Sequence, residues 1–136
     1  MLFVVLGAAL VLGGCATPDR TPRIVDTALD EASSAVEVAS LVVGLVADGR
    51  ATRGVADTAL LDVIDDVGIE QASLAEALPA DPRAGAARDE AARAVADAAE
   101  ALAHARAWVA GTSDDDATTV RERLDAVARS LDEAGA

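Results

Sequence analysis

Few residues in this sequence have side chains that could do chemistry. His104 is the single histidine and Cys15 the single cysteine. Helical spacing puts His104 on one polar face with Glu90, Arg93, Asp97 and Glu100. An imidazole there could serve as a general base. It fits better as a solvated surface histidine beside Glu100, because no second histidine or reactive thiol accompanies it. Asp114, Asp115 and Asp116 invite a calcium reading. Consecutive helical residues point about 100° apart, and the alternating acids and central glycine of a calcium loop are missing. The better reading is a helix start, with acids at the positive end of the dipole. Asp62, Asp65, Asp66 and Glu70 stand at helical spacing and could hold a divalent ion loosely; a solvated face explains them as well. No phosphate loop, serine-hydrolase elbow or zinc-helix motif occurs. A serine or threonine nucleophile would have little to activate it. The expectation is a protein that is not an enzyme, with no cofactor and no metal.

Cys15 stands in a more telling setting. Residues 2–12 are all apolar or glycine. As a helix they would span roughly 16 Å, short of the about 20 residues needed to cross a bilayer. That is the length of the apolar region of a signal peptide. Leu12-Gly13-Gly14-Cys15 then resembles the lipobox of bacterial lipoproteins, with an aliphatic residue at Leu12, small residues at Gly13 and Gly14, and the invariant cysteine at Cys15. Gly13 is less usual at its position than serine or alanine. The resemblance covers about a tenth of the chain. It implies that Cys15 receives a diacylglyceryl thioether carrying palmitate-like chains, and that signal peptidase II cleaves before it. Two such chains hold a protein on a membrane where one is marginal, at ~0.8 kcal/mol per buried methylene.

The resemblance thus implies a signal peptide over 1–14, a lipidated cysteine and short tether over 15–21, and a helical domain over 22–136. It places the domain at the extracytoplasmic face of the cell membrane. Signal peptides open on basic residues, and here only the amino group of Met1 is charged, so the natural start is expected upstream. Two other readings stay open: secretion or an uncleaved anchor, and a buried structural thiol on a short docked helix.

Composition narrows the partners. The chain has 136 residues and a net charge of −13, with eleven arginines and no lysine. Such acidity argues against nucleic-acid binding, which relies on cations to neutralise phosphates. It also means that attachment to anionic lipid would depend on Cys15 rather than on charge. One cysteine rules out an intrachain disulfide. Alanine fills 34 positions, and Phe3 and Trp108 are the only aromatics. This composition suits a high-GC genome of the actinobacterial kind. Beyond Gly14 there are 27 leucine, valine, isoleucine and tryptophan residues, enough for one small core.

The elements follow from apolar spacing. Thr21 as cap and Pro22 as first residue open helix one, whose stripe runs Val25, Leu29, Ala32, Val36, Ala39, Val43 and Val46 to a stop at Gly49. Helix two covers about 52–78, with Val55, Ala59, Leu60, Val63, Ile64 and Val67, then Leu74 and Leu78; Gly68 could bend or break it. Pro79–Pro82 is a turn, with Asp81 capping helix three. Helix three carries an alanine-rich stripe to about Ala110. Ser113 is expected to cap helix four, which buries Val120, Leu124, Val127 and Leu131. Asp89/Arg93 and Asp125/Arg129 are expected i,i+4 pairs. Short connections predict an all-α, antiparallel up-down four-helix bundle. Three long helices with a break, or an elongated hairpin, are the alternatives.

Two features point to binding. Residues 39–47 are apolar nearly all round, and Ser40 and Gly44 form a small pair on the same face. A helix of that kind is central or covered by a partner, so Leu41, Val42, Gly44 and Leu45 are candidate interface residues. The partner would be an envelope protein or a second copy of the chain. Trp108 is either a core plug among alanines or an interface anchor. The leading functional expectation is a non-enzymatic envelope lipoprotein whose acidic helical domain binds a partner or plays a structural accessory part. The alternative is a carrier of a small apolar ligand or lipid between the helices.

Overall fold

The computed structural model describes residues 19–136. Leu12, Gly13, Gly14 and Cys15, and with them the signal peptide and most of the tether, lie outside the described residues. Four helices follow: α1 (Thr21–Ala47), α2 (Arg53–Glu76), α3 (Pro82–Ala110) and α4 (Ala117–Gly135). Their ends are set by local chemistry. α1 and α3 both finish in Schellman closures, because Gly49 (φ 68°) and Gly111 (φ 76°) supply the left-handed residue. After Gly111, for example, the Thr112 N–H donates to the Ala107 carbonyl at 2.9 Å. Thr52, Asp81 and Asp116 cap α2, α3 and α4, each accepting the N–H three residues on.

Two caps differ from expectation. Thr21 is the first residue of α1 rather than its cap; its N–H donates to the Asp19 carboxylate at 2.9 Å, and the residue itself is buried. Ser113 does not cap α4. That role falls to Asp116, at 2.7 Å from the Thr119 nitrogen, where a carboxylate sits directly on the free N–H groups of the first turn.

α2 runs unbroken through Gly68. A mid-helix glycine costs ~1 kcal/mol relative to alanine, less than one buried leucine contributes, and Leu60, Val67 and Leu74 are all fully buried. Its stripe is Ala56, Leu60, Val67 and Leu74. Val55 and Leu78 are exposed instead. Val55 lies a hundred degrees from the buried face, and Leu78 lies beyond the helix.

Connections of five or six residues join helices of nineteen residues or more, so neighbours run antiparallel. Side-chain contacts agree. Arg53 at the start of α2 donates to the Trp108 and Val109 carbonyls at the end of α3, at 2.9 and 2.6 Å. Arg88, near the start of α3, donates to the Ala77 carbonyl after α2 at 3.2 Å. Each arginine therefore covers the open carbonyls of the other helix, where a cation is favoured. The bundle is the four-helix, up-down arrangement, not three helices or a hairpin.

Its cross-section is not square. α1 and α3 touch each other and both remaining helices, whereas among the described residues α2 and α4 make no contact. Alanine explains this. Ala28, Ala32, Ala35 and Ala39 on α1, and Ala91, Ala94, Ala98, Ala101 and Ala105 on α3, are buried. Small residues let two axes close towards the short end of the 8–10 Å range. The longer side chains Val36, Leu60, Leu102, Leu124 and Leu131 fill the flanks.

Candidate interaction surface

The core of α1 is centred on Val25, Ala32, Val36 and Val43. At 100° per residue, Val38, Leu41 and Leu45 fall on the opposite side. Leu41 is 62% exposed, Val38 is exposed and Leu45 half-buried. Val42 lies sideways and packs partly against the core. The helix that looked apolar all round thus buries one face and presents a second to solvent. α4 is eight residues shorter than α1, about 12 Å less. Its end lies beside Leu29, whose Cδ1 would be 3.9 Å from a Cβ placed at Gly135, so the shortfall falls at the first turns of α1.

Beside this stripe, α1 and α4 enclose an open groove of ≈ 420 Å³ with Ser40, Leu41, Gly44 and Leu45 on the α1 side. Arg121 and Asp125 of α4 form the other wall, and Asp48 and Arg50 close the end. A Cβ added at Gly44 would meet nothing within 4 Å. No packing among the described residues requires glycine there. Of the expected interface residues, Leu41, Gly44 and Leu45 share this groove, Val42 does not, and Trp108 sits at the α2–α3 side.

Trp108 is half-buried. The Arg53 guanidinium lies 5.4 Å from its ring centroid, a cation–π arrangement. Arg106 and Asp57 pair nearby at 2.8 Å. The indole therefore anchors the docking of α2 on the end of α3.

His104 departs from expectation. Its partner is Asp115, at 2.6 Å from Nε2, and not Glu100. Gly111 reverses the chain and brings the loop back against α3. The Ser113 hydroxyl accepts the Asp115 N–H at 3.3 Å and holds that carboxylate in place. The three adjacent aspartates thus divide their work: Asp116 caps α4, Asp115 pairs with His104, and Asp114 is exposed. Asp115 is the only hydrogen-bond partner of the imidazole among the described residues. The pair latches the loop between α3 and α4.

Asp62, Asp65 and Asp66 are exposed, and among the described residues no three His, Cys, Asp or Glu side chains are grouped to hold a metal. Asp89 pairs with its neighbour Arg88 at 2.6 Å instead of Arg93, and Asp125 and Arg129 form no ion pair among the described residues. Asp19 and Asp116 have their carboxyls held below the usual value. Hydrogen bonds from the backbone N–H of Thr21 and of Thr119 are the first cause, followed by the hydroxyls of the same threonines. No helix of the described residues is long and apolar enough to cross a membrane. No family model matches the chain, and no match is found among characterised proteins or solved structures.

Proposed function

We propose that this chain is a bacterial lipoprotein, anchored through Cys15 at the extracytoplasmic face of the cell membrane, with a helical domain that acts as a non-enzymatic binding or structural module. The observation that carries the reading is the order of the N-terminal residues: an apolar run too short to span, Leu12-Gly13-Gly14-Cys15, then a polar tether. The helical domain begins at Thr21, directly after that tether. The module docks an envelope protein or a second copy through the outer face of α1, where Leu41 and Leu45 border the groove around Gly44. A carrier would need α1 and α3 to part along their alanine contact.

Intact mass of the protein from a native-host membrane fraction tests the anchor. The expected species starts at Cys15 and carries diacylglyceryl. A chain that keeps residues 1–14 unmodified would overturn the reading. Cys15→Ser is expected to stay unlipidated and leave the membrane; retention would count against attachment by lipid.

A further inference from the structure

We infer that the Leu78-Pro79-Ala80 loop between α2 and α3 is a second point of membrane contact, seated among the lipid headgroups beside the anchor. This rests on the lipoprotein reading above. Leu78 is 89% exposed, more than any other large apolar side chain among the described residues. It lies in a run of four apolar residues, Ala77–Ala80, between Glu76 and Asp81.

The loop stands at the anchored end of the bundle. The Asp19 carboxylate binds both the Thr21 N–H and the Ala80 N–H, the latter at 3.4 Å. Asp19 is four residues from Cys15, and four residues reach at most about 14 Å. A bilayer carries about 5–7 Å of headgroup region on each side of its hydrocarbon. A lipidated Cys15 therefore holds Leu78 within reach of that layer.

The loop is also held firmly. The Arg88 guanidinium ties down the Ala77 carbonyl at 3.2 Å. Pro79 lies over the start of α3, where its Cγ would be 3.6 Å from a Cβ at Gly85. A fixed loop loses little freedom when it docks.

The two loops at the far end have the opposite character. Asp48-Gly49-Arg50-Ala51-Thr52 and Gly111-Thr112-Ser113-Asp114-Asp115-Asp116 are almost entirely polar or glycine. Only the anchored end has a large exposed apolar side chain in its loop; at the far end the exposed Val55 lies in the first turn of α2. Arg20, Arg23 and Arg83 stand in or beside the first turns at that end, but Asp19, Glu76, Asp81, Asp132 and Glu133 outnumber them. Contact therefore depends on burying Leu78 rather than on anionic lipid.

The test uses the full lipidated chain in phosphatidylcholine vesicles. Lipidation blocks the Cys15 sulfur, so the thiol of Leu78→Cys is the only one free for an environment-sensitive fluorophore. Val55→Cys, exposed at the far end, and Ile69→Cys, exposed about 10 Å back along α2 from Glu76, are the references. Quenching by a headgroup-region nitroxide lipid is expected to be at least threefold stronger at 78 than at 55 or 69. Equal quenching at all three positions on a chain whose mass confirms the anchor would overturn the loop contact and leave the lipoprotein reading standing. A mass without diacylglyceryl would overturn both.

Discussion

Replacing Ala98 by leucine tests whether the interior is closed. Ala98 is fully buried and lies at the middle of the α3 stripe, one heptad from Ala91 and Ala105. Leucine adds three carbons where the facing helix already presents Ala28, Ala32, Ala35 and Ala39. Overpacking a filled core costs about 1–3 kcal/mol. Three carbons added between two helices lined with buried alanine put the expectation at the upper end, about 3 kcal/mol. If the axes instead move apart, the flanking layers around Val36 and Leu102 lose their fit, and the cost is similar. For a domain of this size a loss of 1 kcal/mol lowers Tm by about 4 °C, so a fall of about 12 °C is expected. Ala103 is exposed on the same helix, and Ala103→Leu is expected to stay within about 0.5 kcal/mol. Circular dichroism in thermal and urea melts measures both. A neutral or stabilising Ala98→Leu would refute the closed diagonal. It would show room between α1 and α3, which is what an apolar carrier needs.

Three further outcomes are expected. Gly68→Ala and Gly44→Ala should each stabilise the isolated domain by up to about 1 kcal/mol, since both positions are helical and open, whereas Gly111→Ala should cost about 1–2 kcal/mol at φ 76°; denaturant midpoints rank them, and Gly44→Ala should also weaken any complex formed through the groove. Arg53→Ala should cost about 1–2 kcal/mol by freeing the Trp108 and Val109 carbonyls, and should shift the emission of the sole tryptophan to the red; unchanged emission would show that the guanidinium does not cover the ring. Asp19 and Asp116 have lowered carboxyl values when folded, so their contribution is complete above the unfolded value near 3.8 and is lost as pH falls through the folded values. Acid melts of Asp116→Asn should therefore fall less steeply below about pH 4 than those of the parent chain.

Much of the architecture was legible because its signals are local. Pro82 and Gly111 bracket α3 as expected, since one residue fixes φ at the start and the other supplies a left-handed stop. The apolar excess of 39–47 announced a second exposed face, and Leu41 occupies it. The errors came where several residues compete for one role, or where partners are set by tertiary reach. Ser113 and three aspartates all suit a cap, and the winner is the one next to the helix, because the loop turns Asp115 towards His104. That pair spans eleven residues and depends on the Gly111 reversal. A histidine nearly two helical turns before the end of α3, followed by a glycine and acids, was the available signal. Val55 and Leu78 fit helix two's apolar stripe by spacing. Nothing in their spacing reveals that one points away from the core and the other lies beyond the last turn of α2.

The position of the exposed α1 face helps decide what it can meet. Leu41 lies twenty residues beyond Thr21, about 30 Å along the helix from the end that the proposed lipid anchor would hold. Headgroups reach only about 5–7 Å from the hydrocarbon. A bundle standing on its tether holds Val38, Leu41 and Leu45 well clear of the bilayer. Were the bundle to lie flat with α1 against the lipid, Glu31, Glu37 and Asp48 would be pressed onto the surface with them. Desolvating those charges costs more than three partly exposed apolar side chains return. Under the proposed lipoprotein reading, the end next to Cys15 would meet lipid and the distal α1 face would meet protein, so the chain would hold a partner a fixed height above the membrane.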